Sequence, residues 1–257
     1  MDLNRLKWGI LLKTLPLTAL FCLAKWGIHR LEWEPWEFDS LTGSLFGAAT
    51  FVIAFVLSGT LSDYRASEDM PTQLVNAIET IHDSNLLAAA RHSDYGAAPL
   101  RDGLIRVLRA IDDWLKHNKP TDEVIVAITD LNRLFAQMEP FTGAPTLARL
   151  QAEQAKLRIL VMRMEGIRDT DFLAPAYILL DLFLIGAIVA LLLIGADRFS
   201  ENIVVSSFLF TSFTYLVALI RDLDNPFQYD GKSSVDVDLL PLQQAIDRLQ
   251  SHHTLME

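Results

Sequence analysis

Residues 203–227 read IVVSSFLFTSFTYLVALIRDLDNPF. An apolar run long enough to cross a bilayer stops at Arg221, and a short acidic segment carrying Asn225-Pro226-Phe227 follows at once. A hydrocarbon core of roughly 30 Å takes about 20 residues of helix. Working outward, Trp8–Leu23, Leu45–Leu61 and Leu173–Ala196 are near the same length, as is Ile203–Ile220 itself. The 257 residues are 51% hydrophobic, with a mean hydropathy of +0.26, and the apolar residues gather in these four blocks. A chain this short has no soluble core in which to bury four such helices. The pattern predicts an all-α integral membrane protein with four transmembrane helices.

Several function classes drop out. The first block is not expected to be a signal peptide, because Lys13 and Pro16 sit inside it and no small-residue cleavage site follows. Cys22 is the only cysteine, so no intramolecular disulfide or cysteine-based redox or zinc motif exists. A net charge of −10 argues against a nucleic-acid partner. His29, His82, His92, His117, His252 and His253 show no metal spacing with carboxylates. With no phosphate-cradling glycine loop and no nucleophile elbow, no catalytic residues are assigned and no enzyme is expected.

Topology follows from the segments between the blocks. Trp8 and Trp26 bracket the first span as interfacial aromatics, and residues 25–43, with Trp33, Pro35 and Trp36, form a short amphipathic connection. The second span runs into Ser62-Asp63-Tyr64-Arg65 without a Pro or Gly break, so one helix continues past it. Residues 70–170 are polar with helical periodicity, and Pro71, Pro99 and Pro145 each suit a helix first turn. Thr121 reads as an N-cap before Asp122 and Glu123, opening a helix to about Met138. Leu104, Val107, Leu108, Ile111 and Leu115 share one face, as do Leu147, Leu150, Leu157 and Leu160. The expectation is four amphipathic helices, a loop at Met138–Ala144 and no strand.

Only Asp197–Asn202 separates the last two spans, which therefore form a hairpin and leave the middle region, the tail and the N-terminus on one side. That side carries Arg5, Lys7, Arg65, Arg158, Arg163, Arg168, Arg221 and Lys232; the other carries Lys25, Arg30 and Arg198. The positive-inside rule puts the first set in the cytoplasm. The expected organisation is two transmembrane helices over 1–61, a cytoplasmic helical region over 62–172, a transmembrane hairpin over 173–221 and a cytoplasmic tail over 222–257. Gly47, Ala48, Ala49, Thr50, Ala54, Ser58, Gly59 and Thr60 make the second span suited to close helix packing. Asp181 is the one acidic residue inside a span; a partner is expected at Arg65, Tyr64 or a hydroxyl among Ser206, Ser207, Thr211, Ser212 and Thr214. Lys13 is expected to snorkel to the near interface.

This layout resembles the bestrophin family. Two motifs carry the likeness: Asn225-Pro226-Phe227, with Asp236-Val237-Asp238-Leu239-Leu240-Pro241-Leu242 downstream, and Asp63-Tyr64-Arg65 at the end of the second span. The chain departs from the family at Ala66 and Ser67, where members carry a tryptophan pair, and at Gln228, where a glycine is usual. The resemblance implies a homopentameric ion channel in the bacterial inner membrane, with its pore lined by the second span. It also implies an apolar neck of three residues at four-residue steps. Counting back from Arg65 gives Leu57, Ile53 and Ala49, which share one helical face. A ring of such side chains can gate by dewetting. In animal bestrophins the segment around Asn-Pro-Phe holds Ca²⁺, and Asp222, Asn225 and Asp230 stand at the corresponding places here. The run Gly231-Lys232-Ser233-Ser234 lines up few of the six to eight oxygens that Ca²⁺ takes, so no metal or other cofactor is expected.

The expected function is passive conduction of small monovalent ions, chloride-type anions by resemblance, with Asp181 and the acidic balance leaning toward cations. A non-conducting membrane scaffold, whose cytoplasmic helices bind a partner, is the alternative. A small transporter ranks last, because the spans lack Gly/Pro interruptions and inverted repeats.

Overall fold

The structure is a computed structural model that describes residues 3–169, 174–229 and 235–251. Among these residues it is all-helical: α1 Leu3–Arg30, α2 Ser40–Glu68, α3 Met70–Arg91, α4 Ala98–His117, α5 Thr121–Met138, α6 Ala144–Asp169, α7 Ala174–Leu193, α8 Phe199–Asp224 and α9 Leu240–Ser251. A 3-10 turn, Glu139–Phe141, stands in the expected Met138–Ala144 loop. The single residue pairing of strand type among the described residues is the isolated bridge Trp36–Ile194. The described helices form two compact units. The first takes residues 3–64, 174–225 and 235, the second 65–169, 226–229 and 236–251.

The first unit contains the apolar helices. Trp8–Arg30, the run beginning at Ser40, Pro175–Leu193 and Phe199–Asp224 are long and apolar enough to cross a membrane. α1 packs on α8 and α7, and α7 on α8. In lipid there is little hydrophobic drive between helices, so close packing and interhelical hydrogen bonds hold them. The α1–α8 seam has both. Thr18 and Thr211 share a 2.8 Å hydroxyl bond, Cys22 Sγ meets Ser207 Oγ at 3.1 Å, and Phe21 stacks on Phe210 at 4.4 Å. Helix α2 begins with a reciprocal cap. The Thr42 N–H donates to Asp39 Oδ1 at 2.8 Å, and the Asp39 N–H donates to Thr42 Oγ1 at 2.9 Å. Those Thr42 bonds, backbone first, hold the Asp39 carboxyl below its ordinary pKa. With no proline or glycine in the way, α2 continues unbroken through Asp63-Tyr64-Arg65 to Glu68.

The second unit is a soluble-type helical assembly. Pro71, Pro99 and Pro145 all fall in helix first turns. Leu104, Val107, Leu108, Ile111 and Leu115 on α4 are buried, against α5 and α9 among others. Each such leucine contributes about 2 kcal/mol through burial. On α6, Leu150, Leu157 and Leu160 are buried, but Leu147 is only half-buried, because it lies in the first turn. Thr121 is not the N-cap of α5. Pro120 holds that place with extended backbone and no side-chain bond, and its carbonyl accepts from the Glu123 N–H at 3.3 Å. Helix α9 went unanticipated inside the expected tail. It packs on α3 and α4 through buried Leu242, Ala245 and Leu249, and Arg248 pairs with Glu79 at 2.6 Å.

Candidate functional site

Helix α2 has two unlike faces within the first unit. Ala49, Ile53, Val56 and Thr60 are buried, the first three in a cluster with Leu180 and Ala187 of α7 and Phe213, Val217 and Ile220 of α8. Leu57 is partly buried against the same cluster. The expected neck triplet of Ala49, Ile53 and Leu57 therefore turns inward. Within one chain these side chains face α7 and α8. The opposite, exposed stripe runs through Ser44, Gly47, Phe51, Ala54, Phe55, Ser58 and Ser62, with Arg65 beyond. Positions 47, 51 and 55 also step by four, but lie two residues from the expected set, about 200° around the helix. The Phe51 and Phe55 rings are 6.4 Å apart and nearly parallel, 71% and 72% exposed.

That stripe differs in composition from the exposed side of α7. On α7, beyond Pro175 in its first turn, the exposed positions are Ile178, Leu179, Leu182, Ile185 and Val189, all branched aliphatics. On α2 the exposed positions from Ser44 to Ser62 are small or hydroxyl residues, Ser44, Gly47, Thr50, Ala54, Ser58 and Ser62, interrupted by Phe51 and Phe55. A hydroxyl facing hydrocarbon must satisfy itself on its own helix, as Ser44 Oγ does by donating to the Ser40 carbonyl at 2.7 Å. Lipid contact selects aliphatics, whereas water or a second helix accommodates serine and glycine.

Asp181 has a partner that the sequence reading did not name. Arg221 Nη2 lies 2.6 Å from its Oδ1, and both side chains are substantially exposed. In the antiparallel α7–α8 pair, a residue early in α7 stands level with the last turn of α8, so Arg221 reaches it before the α8 hydroxyls do. Asp63 and Arg65 are exposed and Tyr64 is half-buried on α2, while Lys13 is exposed on α1.

A second cluster ties the α1–α2 connection to the end of α7. Lys25, fully buried, lies 3.0 Å from Glu34 Oε1 and donates to the Leu192 carbonyl at 3.1 Å and to the Ile194 carbonyl. It thereby caps the C-terminal carbonyls of α7, where a cation is electrostatically favoured. His29 Nδ1 bonds Glu34 Oε2 at 2.9 Å while its ring stacks on Phe199 at 3.9 Å. Backbone bonds close the junction: Trp36 N–H to Leu193 O at 3.3 Å, and Gly195 N–H to Trp36 O at 2.9 Å. Burial pushes the Glu34 carboxyl up, but hydrogen bonds from His29 and Lys25, together with their charge, bring it below the ordinary value. In sequence Lys25 read as a loop charge. The signal that would have found it is a lysine still inside the apolar helix, with a carboxylate in the short connection.

The Asn-Pro-Phe segment does structural work. Asn225 caps α8; next come Pro226 and Phe227, both buried in the second unit, Phe227 completely. The Val237 N–H donates to the Pro226 carbonyl at 2.9 Å and the Tyr229 hydroxyl to the Val237 carbonyl at 2.7 Å. The Leu240 N–H bonds Asp238 Oδ1 at 2.9 Å, which opens α9. Of the weighed Ca²⁺ ligands, Asp222 and Asn225 are half-buried, and Asp230 lies outside the described residues. Among the described residues no group of three His, Cys, Asp or Glu side chains gathers as a metal set.

This arrangement of helices matches crystal structures of a bacterial bestrophin homologue from Klebsiella pneumoniae. One, carrying a single substitution, superposes with a TM-score of 0.74 over 97% of this chain and 99% of that one, at 14% identity. A second variant gives 0.76 over 93% and 98%, again at 14% identity. The chain has the bestrophin fold. A structure described only as a membrane protein matches at 0.73, with 13% identity, over 93% of this chain and 95% of that one. By sequence no protein-family model matches, and no curated protein does. At such identities the likeness to the bestrophin homologue is one of fold, and the departures at Ala66, Ser67 and Gln228 belong to that distance. The protein is thus an integral membrane protein of bestrophin architecture with four apolar helices.

Proposed function

We propose that the protein is a bestrophin-like channel, in which copies of the chain assemble around a shared path for small monovalent ions lined by α2. The single observation that supports this most is the exposed α2 stripe, where small and hydroxyl residues alternate with Phe51 and Phe55 while α7 beyond its first turn presents branched aliphatics. In this reading the apolar neck is the ring of Phe51 and Phe55, with Gly47 one step further along, and not Ile53. Phenyl rings repeated around an axis form a narrow apolar tube that water leaves at little cost. Ser58 and Ser62 line the wider path beyond. The resemblance suggests five copies. The positive-inside count supports a cytoplasmic second unit with both termini on that side, and the inner membrane of a bacterium as location.

Asp181 no longer favours cations in this scheme, because Arg221 neutralises it locally. Chloride-type anions are what the family resemblance suggests, while bacterial relatives and the acidic balance of the chain lean toward cations. The test is current through purified protein in planar bilayers under a potassium chloride gradient. Steady current with a reversal potential near that for chloride is expected. Silence from folded, inserted protein contradicts the channel reading and favours the scaffold.

A further inference from the structure

A cavity of about 390 Å³ in the second unit lies among the end of α3, the Glu139–Phe141 turn and the start of α6. Arg91, the last residue of α3, and His92 form one wall. Thr146 and Arg149, three apart on α6 and so on one side of it, form another. No aspartate or glutamate lines the cavity. Elsewhere in this unit Arg101, Lys116, Lys119 and Arg248 each hold a carboxylate. Arg91 and Arg149 make no ion pair among the described residues, as is also true of Arg106, Arg109, Arg133 and Arg163; what sets them apart is that they line one cavity with no carboxylate in its wall. Both arginines are exposed and both line this cavity, so an anion held there would meet two positive charges.

The donor set narrows the anion. Each guanidinium presents a planar fork that takes two oxygens of a tetrahedral oxyanion, and the Thr146 hydroxyl and His92 imidazole add to it. A chloride ion would meet one of these forks at a time, and a lone carboxylate has two oxygens to share among four donor groups. A phosphate group has the oxygens to engage both arginines and the hydroxyl together. The volume exceeds that of one phosphate and admits a second phosphoryl group. We infer that this cavity binds a soluble phosphate-bearing anion, Arg91 and Arg149 holding its oxygens and Thr146 and His92 completing the set. The site is separate from the α2 stripe and stands whether or not the protein conducts ions.

The test is calorimetric titration of the full-length, detergent-purified protein with inorganic pyrophosphate at constant ionic strength. A parallel titration uses a short-chain anionic phospholipid. Saturable binding of pyrophosphate is expected, weakened about tenfold by R91Q or R149Q and lost in R91Q/R149Q. R133Q, an exposed arginine on α5 away from the cavity, should bind as wild type does. Unchanged melting temperature and elution volume show that the variants are folded. Absence of saturable pyrophosphate binding, equal affinity in R91Q/R149Q, or binding of the lipid alone overturns the assignment.

Discussion

Lys25 and Glu34 show how a charge survives inside an apolar helix. Lys25 is fully enclosed, and its ammonium is met by a carboxylate and two helix-end carbonyls. Removing one partner of such a pair leaves the other buried and uncompensated, which costs about 3–5 kcal/mol. Lys25→Met should therefore lower the melting temperature of the detergent-purified protein by many degrees, and Glu34→Gln by less, since Lys25 keeps its carbonyl partners. The pair also sets a pH dependence. Because the folded carboxyl lies below its ordinary value of 4.5, its contribution is present above that value and fades as pH falls through the folded pKa. A melting-temperature series from pH 7 to pH 3 should show an acid loss in wild type that is smaller in Glu34→Gln. Equal acid sensitivity in both would remove Glu34 from the account. This pairing was missed in the sequence because Lys25 falls with the connection after the first span and reads there as a loop charge. The Asp181–Arg221 pair escaped for a related reason: it depends on the register of the α7–α8 hairpin, which composition does not specify.

At the scale of elements, the sequence showed most of what exists and less of which way it faces. Four spans and four amphipathic helices are visible because burial in lipid and burial in a soluble core leave different periodicities. Helix α9 was missed because Pro241 and a run of twelve residues look like the end of a tail; its burial against α3 and α4 decides it. The orientation of α2 is not legible in the sequence because, in a membrane, apolar residues occupy inner and outer faces alike. Ile53 and Phe55 are indistinguishable by hydropathy, and only packing against α7 and α8 separates them. In the second unit, packing gives a sharper test at Gly103. A Cβ there would run into the Leu134 Cδ1 methyl, with Leu131 Cδ2 3.4 Å away. Gly103 is buried, so α4 must shift or Leu134 must leave its rotamer. Gly103→Ala is expected to destabilise by about 1–3 kcal/mol despite its better helix propensity. Thermal unfolding followed by circular dichroism checks this, and a stabilised variant would show that the α4–α5 contact is looser than described.

For the whole molecule, the bestrophin fold fixes the helix arrangement of one chain, and assembly of copies is what the channel reading adds. In a single chain the α2 stripe stays uncovered. Native mass spectrometry of the 28.9 kDa chain in detergent should give one closed oligomer, five copies in the bestrophin reading. A monomer would leave the exposed Phe51 and Phe55 to lipid and favour the scaffold. The central claim, however, is that the exposed face of α2 lines the path and the buried face does not. The direct measurement is thiol modification of bilayer currents, comparing Phe55→Cys with Ile53→Cys in a Cys22→Ser background. A charged methanethiosulfonate reagent should rapidly change the Phe55→Cys current and leave the Ile53→Cys current as it was. Modification of Ile53→Cys alone, with Phe55→Cys insensitive, would contradict the assignment and return the neck to the opposite side of the helix.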